Sequence, residues 1–282
     1  MKINWYPGHM VKAKRLISEN LKLVDMVVEL LDARIPDSST NPDFQVLFNN
    51  KIRVVILNKS DFADPEKTKV WLKHYENQGI KTLTLNSLDK RDVQRVKKAI
   101  FELADEKRQE IKQRKGINKT IRAMVVGIPN VGKSTLINSI SGSAKAKTGD
   151  RPGVTKQKQW VKITPYFELL DTPGLLWPRL DEAKIGLHLS YTGSIKEEIL
   201  DLDEISYLFL EEMAAAYPKY LIDRYHLDNL ELKGHELLDA ISINRGWLKL
   251  GGIPDTQRGA KQVLDEFQSG TLGRTTLELP KS

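Results

Sequence analysis

The chain has 282 residues, of which 40% are hydrophobic, and it contains no cysteine. This composition suits one large or two medium domains with a buried core, and it excludes disulfides and thiolate metal sites. The sequence contains neither 18 consecutive uncharged apolar residues nor the apolar core of a signal peptide, so we expect no membrane span and a cytoplasmic location.

The charge is distributed unevenly along the chain. Residues 1–179 carry 33 Lys and Arg against 19 Asp and Glu, whereas residues 180–282 carry 11 against 18, within a net charge of +7. A basic surface can be merely solvated, but a basic region also suits a polyanionic partner, most often nucleic acid. We favour the second interpretation for the first part of the chain.

In chain order, short β-rich runs alternate with helical patterns. The helical patterns lie at 41–50, 64–79 and 92–116, and the last carries apolar residues at helical spacing. Strands that alternate with helices predict a mostly parallel sheet with helices on both faces. The predicted strands are 25–32, 52–58, 80–86, 121–127 and 166–171.

After DTPGLLWPR, residues 171–179, the strand patterns fade and helical periodicity dominates. The predicted helices are 194–217, 218–226, 233–246 and 256–268. We place a boundary near Pro178, which divides the chain into an α/β domain, residues 1–178, and a smaller all-α domain, residues 179–282.

The first motif, Asn58-Lys59-Ser60-Asp61, ends a predicted strand and matches the pattern that reads guanine. Asp61 can accept hydrogen bonds from two adjacent guanine N–H groups, and Asn58 can bond the base edge. Adenine lacks the 2-amino donor, so the motif favours GTP over ATP. The next predicted strand leads into Asn86-Ser87, at the place of a further, weaker base-contacting motif.

The second motif, GIPNVGKS at 127–134, fits a phosphate-binding loop. Gly127 and Gly132 let backbone N–H groups approach phosphates, Lys133 reaches the β and γ oxygens, and Ser134 is the Mg²⁺ ligand. A predicted strand before the motif and a helix after it favour this interpretation over a plain glycine turn. The remaining expected nucleotide contacts are Asn130, Val131 and Thr135.

Two further stretches are typical of nucleotide-sensing switches. In DTPG, 171–174, Asp171 suits Mg²⁺ through a water and the Gly174 N–H suits the γ-phosphate. Residues 145–162 carry six basic residues and one acid, and they contain Thr155, the best candidate for a threonine that completes the Mg²⁺ shell. Thr148 and a plain loop threonine are the alternatives. A basic loop that orders with GTP would contact RNA under nucleotide control.

The motifs follow the order fourth, fifth, first, second, third of an ordinary GTP-binding domain. We interpret this order as a circular permutation, which can preserve a packed sheet because domain termini often lie close together. The new end of the permuted domain follows DTPG. This motif, here called the second switch, therefore runs directly into residues 175–282.

This order, with NKSD, GIPNVGKS, RPGVT and DTPGLL, resembles the circularly permuted GTPases of the YlqF/YawG type. WYPGHMVKAKR near the N-terminus and DARIP at 32–36 match the same pattern, and the resemblance covers nearly the whole chain. It implies a GTPase that binds the precursor of the large ribosomal subunit and its rRNA and acts late in assembly. It also implies a C-terminal domain similar to RNA-binding antiterminator-type domains.

The catalytic group is not evident, because Leu175 and Leu176 stand where Ras-like proteins carry a water-orienting glutamine. His9 is a candidate for positioning the water, with aromatic packing or RNA contact as alternatives. Asn130 matches GTPases that use K⁺ in place of an arginine finger, and a loop-stabilising asparagine is the alternative. Arg34 and Arg151 are possible internal fingers.

These patterns predict a GTPase switch that uses GTP, Mg²⁺ and K⁺ and acts as a monomer, with no membrane or DNA partner. The alternative is an RNA-binding scaffold that is ordered by GTP and hydrolyses GTP negligibly. The missing glutamine favours the scaffold, and the complete set of motifs opposes it.

Overall fold

A single six-stranded sheet organises the first part of the chain. The structure, a computed structural model, describes residues 15, 17–41, 47–48, 51–142, 159–172 and 183–281. The strand order is β3-β2-β1-β4-β6-β5, and every neighbouring pair is parallel except β5 with β6. The strands are β1 Met26–Asp32, β2 Ile52–Asn58, β3 Lys81–Leu85, β4 Ile121–Gly127, β5 Gln159–Thr164 and β6 Phe167–Asp171.

The central strand β1 is buried along its whole length. Successive side chains of a strand point to opposite faces, and here Val28 and Leu30 join one apolar cluster whereas Val27 and Leu31 join two others. A parallel strand covered on both faces reads as a continuous apolar run, which is how this strand was recognisable from the sequence.

Helices cover both faces of the sheet. The helices of this part whose bounds the structure describes are α1 Pro36–Ser39, α2 Pro65–Asn77, α3 Lys90–Lys115 and α4 Lys133–Ser141. Val96 of α3 packs in one cluster with Ile56, whereas Trp71 of α2 packs in another with Val55 and Leu57. The predicted parallel sheet with helices on both faces is therefore confirmed.

Residues 183–281, here called the helical part, contain five α-helices and a short 3₁₀ turn, Glu197–Ile199. Phe209 and Phe267 pack with ring centroids 4.9 Å apart in the same apolar cluster that includes strand residues of the sheet. The helices are α5 Ala183–Tyr191, α6 Leu202–Ala216, α7 Pro218–Tyr225, α8 Gly234–Asn244 and α9 Thr256–Gln268.

Several elements differ from the sequence prediction. The predicted helix at 194–217 is wrong at its start, because Asp201 accepts a hydrogen bond from the Glu204 N–H and begins α6 at Leu202. Strand β5 overlaps the basic stretch 145–162 and was not predicted; α1, which has only four residues, and α5 were not predicted either. Most of the predicted helix at 41–50, and the boundary at Pro178, lie outside the described residues.

The C-terminal segment, residues 274–278, ties the helical part to α2 and to the loops that follow β1 and β2. The Thr275 N–H donates to the Phe62 carbonyl at 2.9 Å, and the Leu277 N–H donates to the Arg34 carbonyl at 2.8 Å. The Trp71 indole N–H donates to the Glu278 carbonyl at 3.1 Å.

Among the described helices, none combines the length and the apolar character needed to cross a membrane.

His188 of α5 is a buried charged link in the same region. Its Nδ1 lies 2.6 Å from Glu278 Oε1, and its Nε2 lies 3.0 Å from Glu212 Oε1. Burial by itself lowers the pKa of His188, but the hydrogen bonds and charges of the two glutamates outweigh burial and raise this pKa to about 9.

The pH dependence of stability tests this link. Because the folded pKa of His188 exceeds its ordinary value of 6.5, its stabilisation is complete below pH 6.5 and is lost as the pH rises through about 9. We expect the free energy of unfolding in urea to fall by roughly 2–3 kcal/mol over this interval, and His188→Gln to remove that fall. The exposed His235 supplies the control, since His235→Gln should follow the wild type. Identical pH profiles for all three proteins would contradict the assignment.

Candidate nucleotide-binding site

The carboxyl ends of five strands meet at one edge of the sheet. The register pairs Asp32 with Asn58 and Asn58 with Leu85, and on the other side it pairs Leu30 with Gly127. Ligands of open parallel sheets bind outside the carboxyl ends of the strands. The permuted chain thus brings its separated motifs to one place.

The phosphate-binding loop needs its two glycines for steric reasons. Gly127 has φ +155°, and a Cβ there would lie 2.5 Å from the Leu30 carbonyl oxygen. Gly132 has φ +97°, and a Cβ there would lie 2.5 Å from Asn58 Nδ2. Gly132 is also the N-cap of α4 and supplies no side-chain cap, so the first N–H groups of α4 are suited to bind an anion.

Lys133 lies folded over this loop. It is 6% exposed, and its ammonium group donates to the Ile128 carbonyl at 2.7 Å and to the Gly127 carbonyl at 3.1 Å. Burial lowers the pKa of Lys133 to about 8, although the charge of Asp171 opposes that shift. The side chain is therefore a buried cation that a phosphate group would stabilise.

Ser134 and Asp171, which lie 37 residues apart, meet at the start of α4. Ser134 Oγ donates to Asp171 Oδ2 at 3.2 Å, and the Thr172 hydroxyl fixes the end of β6 by donating to the Val125 carbonyl at 2.6 Å. Asp171 Oδ1 is buried and has no hydrogen-bond partner within the described residues. Burial raises the pKa of Asp171, against the effects of Lys133 and Ser134.

These oxygens fit a hard cation. Mg²⁺ prefers oxygen ligands and keeps several waters and phosphate oxygens in its shell, so a hydroxyl and one unsatisfied carboxylate oxygen are a suitable protein contribution. No group of three or more His, Cys, Asp and Glu that could hold a metal occurs in the part of the chain that the structure describes.

Asn58 fastens the guanine motif to two other loops. It is 2% exposed, its Nδ2 donates to the Val131 carbonyl at 2.7 Å, and its Oδ1 accepts from the Ser87 hydroxyl at 2.8 Å. Its amide group retains one N–H for a base. Lys59, with φ +57°, lies with its Nζ 3.4 Å from Asp32 Oδ2.

Asp61 faces a cavity of about 450 Å³ beside these loops. Burial raises the pKa of this carboxyl group, against its own backbone hydrogen bond and the charges of Arg34 and Arg274. The sequence-predicted residues that line the cavity are Asn58, Lys59, Asp61, Asn86, Ser87, Asn130, Gly132 and Thr135. Gly127, Val131, Lys133, Ser134 and Asp171 connect to it through the loop contacts above.

Not every expected residue can be placed. His9, Thr148, Arg151, Thr155 and Gly174 lie outside the described residues, so their roles stay predictions.

Arg34 is described, but it does not suit the role of a mobile finger. Its side chain is fully buried and donates to both oxygens of Asp32 and to the Phe267 carbonyl. These contacts hold the guanidinium group in place beside α9.

Asn130 contacts the helical part. It has φ +59°, and its Nδ2 donates to the Gly193 carbonyl at 2.7 Å. This contact is the loop-stabilising role considered as the alternative to K⁺ binding, and it leaves the K⁺ role a prediction.

Sequence reasoning missed one wall of the cavity. Thr192, Asp265, Gln268 and Ser269, all from the helical part, line it together with Phe62 and Leu88. None of the four belongs to a motif, and they follow the guanine motif by more than a hundred residues. No local signal in the sequence could have identified them.

Gly132 offers a sharp test of the site. In Gly132→Ala the new Cβ would collide with Asn58 Nδ2 at a φ that L-residues rarely adopt, separating the phosphate loop from the guanine motif. We expect the affinity for GDP to fall about tenfold or more, since removal of one buried hydrogen bond with its partner left unsatisfied costs roughly 1–3 kcal/mol. Gly116→Ala is the matched control, because Gly116 has φ +70° with open space around its Cβ position. Titration with a fluorescent GDP analogue measures both, and equal losses in the two variants would contradict the clash.

Comparison with known proteins agrees with this geometry. Residues 122–216 match the family model described as 50S ribosome-binding GTPase. The chain is 43% identical to ribosome biogenesis GTPase A of Bacillus pumilus, over 100% of both chains, and 32% identical to that of Thermotoga maritima, over 99% of this chain and 95% of the relative.

Solved structures give the same answer. GDP-bound YlqF matches with a TM-score of 0.69 at 27% identity, covering 95% of this chain and 100% of that one. GNP-bound YlqF from T. maritima matches with a TM-score of 0.68 at 28% identity, covering 96% and 99%. The permuted α/β fold followed by a helical region is thereby confirmed, as are GTP or GDP binding and GTP hydrolysis. The chain belongs to the ribosome biogenesis GTPase A family and is a GTPase with a role in ribosome assembly.

Proposed function

We propose that this GTPase is a switch that binds the precursor of the large ribosomal subunit, promotes a late step of its assembly and leaves on GTP hydrolysis. The observation that carries the proposal is the meeting of guanine, phosphate and metal motifs at one sheet edge despite their permuted order. The family description and the names of the relatives support a ribosomal partner. The expected cytoplasmic location and monomeric state belong to the same proposal.

Each part of the nucleotide has a proposed set of contacts. Asp61 and Asn58 bind the guanine edge, with Lys59, Asn86 and Ser87 around the base. The N-terminus of α4, with Lys133 and Thr135, binds the phosphates. The glycine and valine backbone of residues 127–132 surrounds the phosphate chain.

The proposed metal ligands are Ser134 directly, Asp171 through water, and Thr155. When bound, Mg²⁺ neutralises charge on the β- and γ-phosphates. In the same proposal, the Gly174 N–H donates a hydrogen bond to the γ-phosphate. Loss of the γ-phosphate on hydrolysis then releases the second switch, DTPG. This switch lies shortly before α5, which suggests how hydrolysis acts on the helical part.

His9 is our candidate for positioning the attacking water, and Asn130 for binding K⁺. The leucines that follow DTPG cannot orient a water, so we propose that docking on the ribosomal particle completes the site. Slow turnover by the free protein and stimulation by the particle follow from this arrangement.

The proposed RNA contacts have two sources. The basic stretch 145–162 follows the phosphate loop and its helix, so its contact with rRNA would depend on nucleotide. The domain that we place at 179–282 is proposed to bind rRNA through local basic patches, because its net charge is acidic.

The second candidate function is an RNA-binding scaffold that is ordered by GTP and has negligible intrinsic GTP hydrolysis. The two leucines after DTPG favour it. It differs from the switch in one measurable respect, the effect of the ribosomal particle on turnover.

GTP turnover separates the two functions. We expect isolated large ribosomal subunits to increase the turnover of the purified protein in K⁺ buffer by at least about tenfold, because a completed catalytic site lowers the barrier by about 1.4 kcal/mol for each tenfold in rate. Small subunits serve as the control. No stimulation, with GTP still bound tightly, would favour the scaffold.

Two variants then test the catalytic groups. His9→Ala should remove the stimulation and leave GDP affinity unchanged. Asn130→Ala should weaken the advantage of K⁺ over Na⁺ if Asn130 binds the ion. An Asn130→Ala protein with an unchanged K⁺ advantage but weaker nucleotide binding would leave only the contact with Gly193 as its role.

The lowered pKa of Lys133 predicts proton uptake on nucleotide binding. With a pKa of about 8 in the free protein, this lysine is mostly neutral at pH 8.5, and phosphate would restore its charge. We expect GDP binding to take up about 0.7 proton at pH 8.5 and about 0.1 at pH 7, with weakening affinity above pH 8. Calorimetric titration in two buffers of different ionisation enthalpy measures the uptake. Equal uptake at both pH values would contradict the prediction.

A further inference from the structure

One wall of the nucleotide cavity belongs to the helical part. Asp265 and Gln268 lie one turn apart near the end of α9, and both line the cavity together with Asp61 and Asn130. This wall is contributed by a region in which sequence analysis found no nucleotide motif.

The end of α9 is fixed from two sides against residues 58–63, here called the guanine loop. Arg34 donates to the carbonyls of Phe267 at 2.9 Å and Gln268 at 3.4 Å. On the other side, a Cβ at Gly270 would lie 2.4 Å from the Phe62 ring, so the turn after α9 is packed tightly on the residue that follows Asp61.

The C-terminal segment strengthens the same contact. Arg274 donates to the carbonyls of Ala63 at 3.0 Å and Ser60 at 3.1 Å. The Gln268 side chain itself rests on Gly193, where a Cβ would lie 2.8 Å from its Oε1, and Gly193 accepts from Asn130. The last turn of α9 is therefore held between the guanine loop and the phosphate loop.

The side chains of Asp265 and Gln268 make no hydrogen bond to other described residues. In the described part of the chain, neither the Asp265 carboxylate nor the Gln268 amide has a hydrogen-bond partner, although both are half-buried. Burial raises the pKa of Asp265 against the charge of Lys261. Half-buried polar groups that line a cavity can bond to water, and they are available to a ligand that displaces that water.

The chemistry of the wall selects one part of the nucleotide. A carboxylate repels phosphate but accepts hydrogen bonds from hydroxyl donors, and a glutamine amide can donate or accept. The base has Asp61 and the phosphates have Lys133 and the N-terminus of α4. The remaining group, which connects base and phosphates, is the ribose with its two hydroxyls.

We propose that Asp265 and Gln268 of α9 bind the ribose hydroxyls of the guanine nucleotide, so that the helical part supplies one wall of the nucleotide site. This inference rests on the proposed placement of the nucleotide. Its consequence is reciprocal coupling: whatever moves α9 away from the guanine loop weakens nucleotide binding, and nucleotide binding holds α9 in place.

The test compares GDP with 2′,3′-dideoxy-GDP on the full-length protein. We expect wild type to bind the dideoxy ligand about tenfold more weakly, as the loss of hydrogen bonds to a charged acceptor requires. Asp265→Ala and Gln268→Ala should each weaken GDP binding by several-fold to about tenfold and reduce the penalty for the dideoxy ligand. Equal effects on both ligands, or no effect, would overturn the proposal.

Matched controls come from exposed positions. Gln257→Ala lies near the start of the same helix, and Asp223→Asn removes an acidic charge from α7; both should bind the two ligands as the wild type does. Urea midpoints without nucleotide report folding, and Asp265→Asn replaces Asp265→Ala if the latter is unstable.

Asp61→Ala distinguishes the failure of this inference from that of the proposed site. If Asp61→Ala leaves GDP affinity unchanged, the cavity is not the nucleotide site and both ideas fail. If Asp61→Ala weakens GDP binding whereas Asp265→Ala and Gln268→Ala do not, the ribose contact alone is wrong. Neither result decides whether ribosomal subunits stimulate GTP turnover, which tests the proposed partner separately.

Discussion

The buried ion pair between Arg34 and Asp32 is the interaction on which the rest of the structure depends. The guanidinium group donates twice to the carboxylate and is fully buried. Burial alone would raise the pKa of Asp32, but Arg34 and Lys59 together hold this pKa far below its usual range. Removal of one partner from such a pair typically costs about 3–5 kcal/mol because the other charge is left buried. The pair therefore holds Asp32 and Arg34 in one arrangement, because neither charge can leave its partner without remaining buried and unpaired.

Through this pair, three regions become one hydrogen-bonded unit. Asp32 ends β1 beside Asn58, the first residue of the guanine motif, and its carboxylate also binds Lys59. Arg34 reaches the carbonyls at the end of α9. A circular permutation leaves the second switch connected directly to the helical part, and the same helical part contacts the guanine loop. In our proposal, the bound nucleotide and the position of the helical part are thus coupled at two places, the second switch before α5 and the contact of α9 with the guanine loop.

Much of the α/β fold could be predicted from local patterns, because buried parallel strands such as β1 and β4 are apolar runs and their loops carry recognisable motifs. Strand β5 could not, since it is antiparallel, carries the 36%-exposed Trp160, and overlaps the end of a basic stretch of sequence. The start of α6 was missed because apolar spacing continued through Ile195 and Ile199, while Asp201 as N-cap decided where the helix begins.

The sequence by itself determined which chemical groups the motifs offer: the glycines of the phosphate loop, the ammonium group of Lys133, the oxygens of Ser134 and Asp171 and the carboxylate of Asp61, which we predict to select guanine. Each depends on residue type and short spacing, which a sequence displays directly. Only the tertiary structure decided that Arg34 is a buried clamp, that Asn130 contacts Gly193, and that Asp265 and Gln268 line the cavity. These contacts join residues far apart in the chain, and their partners are set by how the helices pack on the sheet, for which local sequence carries no signal.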